Sequence, residues 1–288
     1  MYINNLTESK AVDQKYLDLF CEYLYRNMGI YVEENKKGLL AQKLLKLQTE
    51  SGIPTLGEYY HYIVAPPITM TQKTAKNSFI DTITVHKTNF FRENNHFEFI
   101  KKNIRQIIDE SPTAKYTNEL RVWSSACSTG EEAYTLAMLF KEILPPGYKA
   151  KILATDISPQ SIRTALEGVY RFGPEDLITN YYINKYFVTQ DDRWVLCDEI
   201  KNSVTFRLFN LMDTFPFKNP FDIIFCRNVM IYFNSDVQEK LVNGFYDALT
   251  DNGLLFIGHS ESLIQIKHNF VYHEPTIYKR TCKKAAKI

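Results

Sequence analysis

From residue 119 onward, short apolar runs alternate with amphipathic segments of helical period. "LRVWSS" precedes a helical pattern over 131–143, "KILATD" precedes one that opens at Ser158, and "FDIIFC" precedes one over 235–249 that leads into "GLLFIG". Strands separated by helices cannot pair as tight hairpins. They line up parallel, with the helices packed on the sheet faces. This alternation restricts the region to a doubly wound α/β sheet. Between Gly168 and about 209 the rhythm breaks. "KYFVTQDDRWVLC" and "SVTFRLFN" read as short strands around a polar turn at Gln190–Asp192, giving a small antiparallel β insertion over about 169–208.

Residues 1–74 carry no strand pattern. Val12, Tyr16, Phe20, Tyr23 and Leu24 recur at helical spacing, and Gly29 supplies a stop. A second helix fits 33–50 and a third fits 55–64, so 1–74 reads as an all-α domain and 75–288 as the α/β domain. A segment near 71–85 leads from one to the other. A helix over 94–109 follows, with Phe97, Ile100, Ile104 and Ile107 on one face.

The formal net charge is +1, so no global field draws the chain to nucleic acid. The five cysteines are odd in number, widely spaced and free of any C-x-x-C pair. That argues against a disulfide framework or zinc site and for a reducing compartment. "MYINNLTESK" lacks the pattern of a signal peptide, and "FDIIFCRNVMIYF" is too short to span a bilayer and contains Arg227. The expectation is a soluble cytoplasmic protein.

The stretch "SSACSTGEEAYTLAM" (124–138) is a strand end, a tight loop and a helix start. Such loops often cradle phosphate, but a P-loop needs a lysine and a dinucleotide loop needs three glycines, and only Gly130 is present. Glu131 and Glu132 would also repel a diphosphate. A cationic ligand without phosphate fits better. "KILATDIS" ends in Asp156, where an acid at a strand's carboxyl edge accepts hydrogen bonds from ribose hydroxyls. Carboxylates for an ammonium and a ribose, without a phosphate cradle, fit S-adenosylmethionine. The helix macrodipole alone also accounts for acids in a first turn, and an Asp before Ser-Pro is also a common cap.

Other candidates fall at the entrance to the α/β part or at strand ends. Arg92 lies in "TNFFRE", Asn210 in "FNLMD", and Arg227, Asn228 and Tyr232 in "FCRNVMIYF". Each has a plain alternative as a surface ion pair, a turn amide or a core aromatic. Cys127 beside a helix start could be a nucleophile, but two neighbouring carboxylates would raise its pKa. The histidines show no metal-ligand spacing, so no metal site is expected. Lys36 and Lys43 share one face of the second helix and Lys46 lies close to it, either as a solvated face or as a docking face for an acidic helix.

Taken together, "TNFFRE", "VWSSACSTGEEAYTLAM", "ILATDIS", "FNLMD", "FDIIFCRNVMIYF" and "GLLFIGHSES" resemble the CheR family of chemoreceptor glutamate methyltransferases. The resemblance implies a Rossmann-like methyltransferase domain, S-adenosylmethionine as methyl donor with S-adenosylhomocysteine as product, and no metal. It implies that Thr88 and Arg92 serve the cofactor and active site and that Ala126 lines the cofactor site. Glu132 would meet the methionine amino group, Asp156 the ribose, and Asn210 and Leu211 the adenine. Arg227, Asn228 and Tyr232 would surround the methyl group and sulfur, with Arg92 and Tyr232 catalytic. The partner would be the acidic helical cytoplasmic domain of a chemoreceptor, met by a monomer. Two features depart from the family pattern. His86 stands where asparagine is common, and the β insertion has a short turn without glycine. The second departure implies a form independent of a receptor's C-terminal pentapeptide. The rival readings are a methyltransferase of another protein target and a non-catalytic module that binds the cofactor.

Overall fold

The computed structural model describes residues 13–173 and 176–281. Val12, named above, and Cys282, one of the five cysteines, lie outside them. The chain divides into two compact units between Thr84 and Val85.

The first unit is all helical. Helix α1 (Gln14–Met28) is capped by Asp13 and stopped by Gly29 in the left-handed region at φ 70. Helix α2 (Lys37–Glu50) follows a short 3₁₀ turn at Glu34–Lys36. Helices α3 (Leu56–Val64) and α4 (Met70–Ile83) each open with a capping box, Thr55 with Glu58 and Thr69 with Gln72. Phe20, Leu24, Leu44, Tyr59, Ile63 and Phe79 form the buried interior. The division falls later than the expected 74/75 because α4 belongs to this unit. Its Phe79 is fully buried, with its ring 5.6 Å from that of Phe20. Phe79 is also the only buried residue among those of α4, so the helix shows little apolar periodicity in the sequence.

The second unit runs α5 (Asn95–Glu110), α6 (Ala114–Thr117), β1 (Glu119–Ser124), α7 (Glu131–Ile143), β2 (Lys149–Asp156) and α8 (Pro159–Glu167). Then come β3 (Val169–Tyr170), α9 (Asn180–Tyr186), β4 (Phe187–Gln190), β5 (Arg193–Leu196), α10 (Asp198–Lys201) and β6 (Val204–Leu208). The unit closes with β7 (Phe221–Cys226), a 3₁₀ turn at Met230–Tyr232, α11 (Ser235–Ala248), β8 (Leu249–Ile257), β9 (Val271–Glu274) and β10 (Ile277–Lys279). The main sheet has the order β6-β2-β1-β7-β8-β10-β9. Strands β6 to β8 are parallel, and β10 and β9 add antiparallel at one edge. Every residue of β7 is buried, as a parallel strand covered on both faces requires.

This topology sets the site. Ser124 at the end of β1 pairs with Ala154 of β2 on one side and Phe225 of β7 on the other. Strand order reverses at β1, so the loops leaving β1 and β7 part and open a crevice above the sheet.

One expectation changes. "SVTFRLFN" is not part of the insertion. It supplies β6, an edge strand of the main sheet paired parallel with β2 from Ile152↔Val204 to Asp156↔Leu208. The insertion is a three-stranded antiparallel sheet of β3, β5 and β4. Its hairpin closes between Gln190 and Arg193 through Asp191 and Asp192, both at positive φ.

Candidate functional site

The loop after β1 is bound to both neighbouring strands. The N–H groups of Ser125 and Cys127 donate to the carbonyls of Phe225 and Thr155, each at 2.9 Å. Gly130 ends the loop at φ 99, where an added Cβ would lie 2.8 Å from the Cβ of Ala165. Only glycine meets both the dihedral and the space. Ala126 is partly exposed within this otherwise largely buried turn.

Asp156, 7% exposed, clasps the same loop. Its carboxylate accepts the N–H of Ser128 at 2.8 Å and of Ser158 at 2.9 Å. Burial pushes its pKa up, and the backbone donors pull against that. Each oxygen keeps acceptor capacity for a ligand hydroxyl. The Asp156 carbonyl accepts the N–H of Phe209 at 2.9 Å, which brings the loop carrying Asn210 and Leu211 beside it. The Asn210 side chain accepts the N–H of Met212 at 3.1 Å, and Leu211 is half-buried.

The adjacent glutamates separate. Glu131 accepts a hydrogen bond from Thr129 at 2.6 Å. Glu132 accepts one from Ser124 at 2.7 Å and faces Arg227 at 3.6 Å. Burial raises the pKa of Glu132, while Arg227 and Ser124 oppose the rise and Arg92 adds a smaller opposing field. Successive helix residues point about 100° apart, so only one of the pair turns to the sheet end.

Arg227 leaves the end of β7 and is 6% exposed. Its guanidinium lies between Glu132 and Glu93, 3.3 Å from the latter, and over the rings of Phe97 and Phe225 at 5.6 and 5.7 Å. It also donates to the Arg92 carbonyl. Arg92 is itself partly exposed, and its Nη1 donates to the Lys87 carbonyl at 2.8 Å. "TNFFRE" is pinned in place, since the N–H of Phe91 donates to Thr135 of α7 at 3.2 Å and that of Phe90 to Asp176 at 3.0 Å. Thr88, half-buried, precedes these anchors. His86 contacts Ser161 through Nδ1 at 3.0 Å, and its carbonyl accepts the Ser128 hydroxyl at 3.2 Å. Tyr232 is half-buried in the 3₁₀ turn after β7.

Sequence reasoning gave no role to Glu93, His96 and Glu261, although the quoted motifs contain the first and last. Glu261 is a buried acceptor for the N–H groups of Asn228 at 3.0 Å, Met230 at 2.8 Å and Gly258. It holds Asn228 in the left-handed region at φ 57. Asn228 in turn donates its side-chain amide to Glu93 at 3.1 Å.

The histidines lack metal-ligand spacing in the sequence, yet the fold gathers donor atoms of Glu93, His96 and His259 within 4.8 Å of one another. The Glu93 oxygen in that group already faces Arg227, so the nearest cation there is a guanidinium. His96 Nε2 and the Thr276 hydroxyl share a hydrogen bond at 2.6 Å. His96 Nδ1 lies 3.8 Å from Glu93. Burial, then Arg227, pulls the His96 pKa down to about 3, and the ring stays neutral.

Cys127 is buried, and burial, Asp156 and Glu132 push its thiol pKa well up. That opposes a nucleophilic role. The three lysines differ in their surroundings. Lys36 pairs with Glu33 at 3.2 Å and Lys46 with Glu50 at 3.8 Å, both on exposed surface. Lys43 donates to the Thr82 carbonyl at 2.7 Å, and burial lowers its pKa. Among the described residues, no helix is long and apolar enough to cross a membrane.

Residues 86–279 match the family profile "CheR methyltransferase, SAM binding domain", and residues 15–84 match "CheR methyltransferase, all-alpha domain". A "Chemotaxis protein methyltransferase" of Borreliella burgdorferi is 38% identical over 276 residues, covering 92% of this chain and 93% of that protein. Proteins of the same name from Salmonella typhimurium and Escherichia coli are each 30% identical, covering 97% and 95% of this chain and 95% and 93% of their own lengths.

Proposed function

The chain belongs to the CheR methyltransferase family and is an S-adenosylmethionine-dependent chemotaxis protein methyltransferase, and on that premise we propose that it esterifies glutamate side chains on the cytoplasmic helical domains of chemoreceptors. The observation that carries this reading is the charge arrangement of the crevice. Glu132, in the first turn of α7 and bonded to Ser124 at the end of β1, is partly buried, Asp156 is buried at the end of β2, and the partly exposed Arg92 guanidinium lies close enough to bias Glu132. The two carboxylates suit an ammonium and a ribose, and no lysine is present in the loop to hold a phosphate.

The donor supplies a methyl group on a sulfonium. The acceptor carboxylate, with a pKa near 4.3, is ionised at neutral pH and attacks without a general base. The oxygen–carbon bond forms as the carbon–sulfur bond breaks, and the bonding pair stays on sulfur. No proton moves. This chain's residues bind, orient and exclude water. Glu132 holds the amino group, Asp156 the ribose hydroxyls, and Asn210 and Leu211 the adenine. Thr88, Ala126 and Asn228 line the rest. Arg92 presents a fork for the incoming carboxylate, and Tyr232 packs beside the reacting centre. Cys127, in the same loop, is buried with its thiol pKa pushed well up, which agrees with a reaction that needs no thiolate.

The helical unit is the receptor-docking domain in this reading. Lys36 and Lys46 present exposed cations to acidic helices, while the Lys43 ammonium is turned to a carbonyl of its own unit. The two-residue hairpin turn of the insertion supports independence from a tethering pentapeptide. The protein acts as a cytoplasmic monomer. Mass spectrometry of receptor fragments after incubation with the protein and S-adenosylmethionine tests the reading. Peptides one methylene heavier at glutamate are expected. Modification at lysine or arginine would favour another protein methyltransferase, and cofactor binding without any modified peptide would favour a non-catalytic module.

A further inference from the structure

Arg227 raises a question that the functional reading leaves open. Its guanidinium lies against the carboxylate meant for the ligand's ammonium, at 3.6 Å from Glu132. Two cations sharing one buried carboxylate would repel each other. A guanidinium this deep also needs a counter-charge at all times.

Glu93 supplies it. Its carboxylate lies 3.3 Å from Arg227 Nη2, while Glu132 faces Nη1. The Asn228 amide at 3.1 Å and the His259 N–H at 3.2 Å fix its other oxygen. Phe91 and Glu93 both adopt left-handed backbone, at φ 58 and 57, on either side of Arg92. Non-glycine residues hold that conformation only when their surroundings enforce it. Burial raises the Glu93 pKa, but Arg227, Asn228 and His259 outweigh it and leave the group below the usual carboxylate range. His96 is 3.8 Å from Glu93, but burial and Arg227 keep its ring neutral, so it offers no charge to compete for the carboxylate. Glu93, Glu132 and Arg227 together carry one uncompensated negative charge, which matches one ammonium.

We propose that Glu93 is a positioning residue that holds the charge of Arg227 so that Glu132 remains free for the amino group of the cofactor. This rests on the functional reading above. Calorimetry on the full chain with S-adenosylhomocysteine and with 5′-methylthioadenosine tests it, because the second ligand keeps the nucleoside and thioether but has no amino-acid tail. Glu93→Gln should weaken S-adenosylhomocysteine about tenfold, the scale of one lost charge interaction, and change methylthioadenosine less than about twofold. In turnover assays the KM for S-adenosylmethionine should rise by more than kcat falls. Equal losses for both ligands would mean a structural role and overturn the proposal, as would no loss. Should Glu93→Gln fail to fold, Glu93→Asp keeps the charge but withdraws it from Arg227. It should show the same selectivity in smaller measure, and a loss shared by both ligands overturns the proposal there too. Failure of the unaltered protein to bind S-adenosylhomocysteine would instead sink the functional reading, and the role of Glu93 with it.

Discussion

Replacing Gly130 by alanine tests the loop that builds the crevice. At φ 99 an L-residue sits outside its comfortable range, which costs roughly 1–2 kcal/mol. The added Cβ would lie 2.8 Å from the Ala165 Cβ, 3.3 Å from its Cα and 3.1 Å from the Tyr170 hydroxyl. None of these can give way easily. Ala165 is fully buried in α8, and the Tyr170 hydroxyl donates to the Thr129 carbonyl at 2.8 Å. Overpacking of this kind adds roughly 1–3 kcal/mol, so Gly130→Ala should destabilise its unit by about 2–5 kcal/mol. Gly147 provides the control. It has φ 88, but an added Cβ meets nothing within 4 Å. Gly147→Ala carries the dihedral cost, partly offset by a less flexible unfolded chain, and should lose about 1 kcal/mol. The assay is tryptophan fluorescence during urea unfolding. Trp123 and Trp194 are the chain's only two tryptophans, and both lie in the α/β unit, so the signal ignores the helical one. Equal shifts for the two variants would refute the steric part of the reasoning.

Three further outcomes follow from the site. His96 has an ordinary pKa of 6.5 and a folded value of about 3, so between them the unfolded chain binds a proton that the folded one refuses. The stability of the unit should therefore fall as pH drops through that window, by up to about 1.4 kcal/mol per pH unit from this group, and urea midpoints of His96→Gln should show a shallower fall. Glu261→Gln weakens a carboxylate that accepts the backbone N–H groups of Asn228, Met230 and Gly258, among others, and should cost about 2–3 kcal/mol in the same assay, with methyl transfer reduced further because Asn228 loses its anchor. Lys36→Glu with Lys46→Glu should lower transfer to receptor fragments severalfold and leave calorimetric affinity for S-adenosylhomocysteine unchanged. Equal losses in both measurements would argue against docking.

The parallel sheet was legible because its central strands are buried on both faces and read as apolar runs, "FDIIFC" above all. The Glu131–Glu132 pair and Asp156 stood out as candidates because each ends or follows such a run within a few residues. Strand β6 was misplaced because its pattern is that of a half-covered edge strand, with Val204 and Phe206 buried and Thr205, Arg207 and Leu208 exposed, and nothing local says which sheet it joins. Strands β9 and β10 were missed for a related reason: β9 is exposed along its length. Glu93 and Glu261 act on Arg227 and Asn228 from more than thirty residues away, and hydrogen bonds across such distances leave no periodicity to read. Choosing Glu132 over Glu131 needed the family resemblance. In the fold the same two residues separate, one onto Thr129 and the other onto Ser124 and Arg227.

Transfer of a radiolabelled methyl group from S-adenosylmethionine to purified receptor cytoplasmic domains, followed by mild base, addresses the central claim most directly. Glutamate methyl esters hydrolyse under those conditions, so the label should appear on the receptor fragment and leave it as volatile methanol. Label that stays on the protein through base, or that appears equally on fragments whose candidate glutamates are replaced by alanine, would contradict the account.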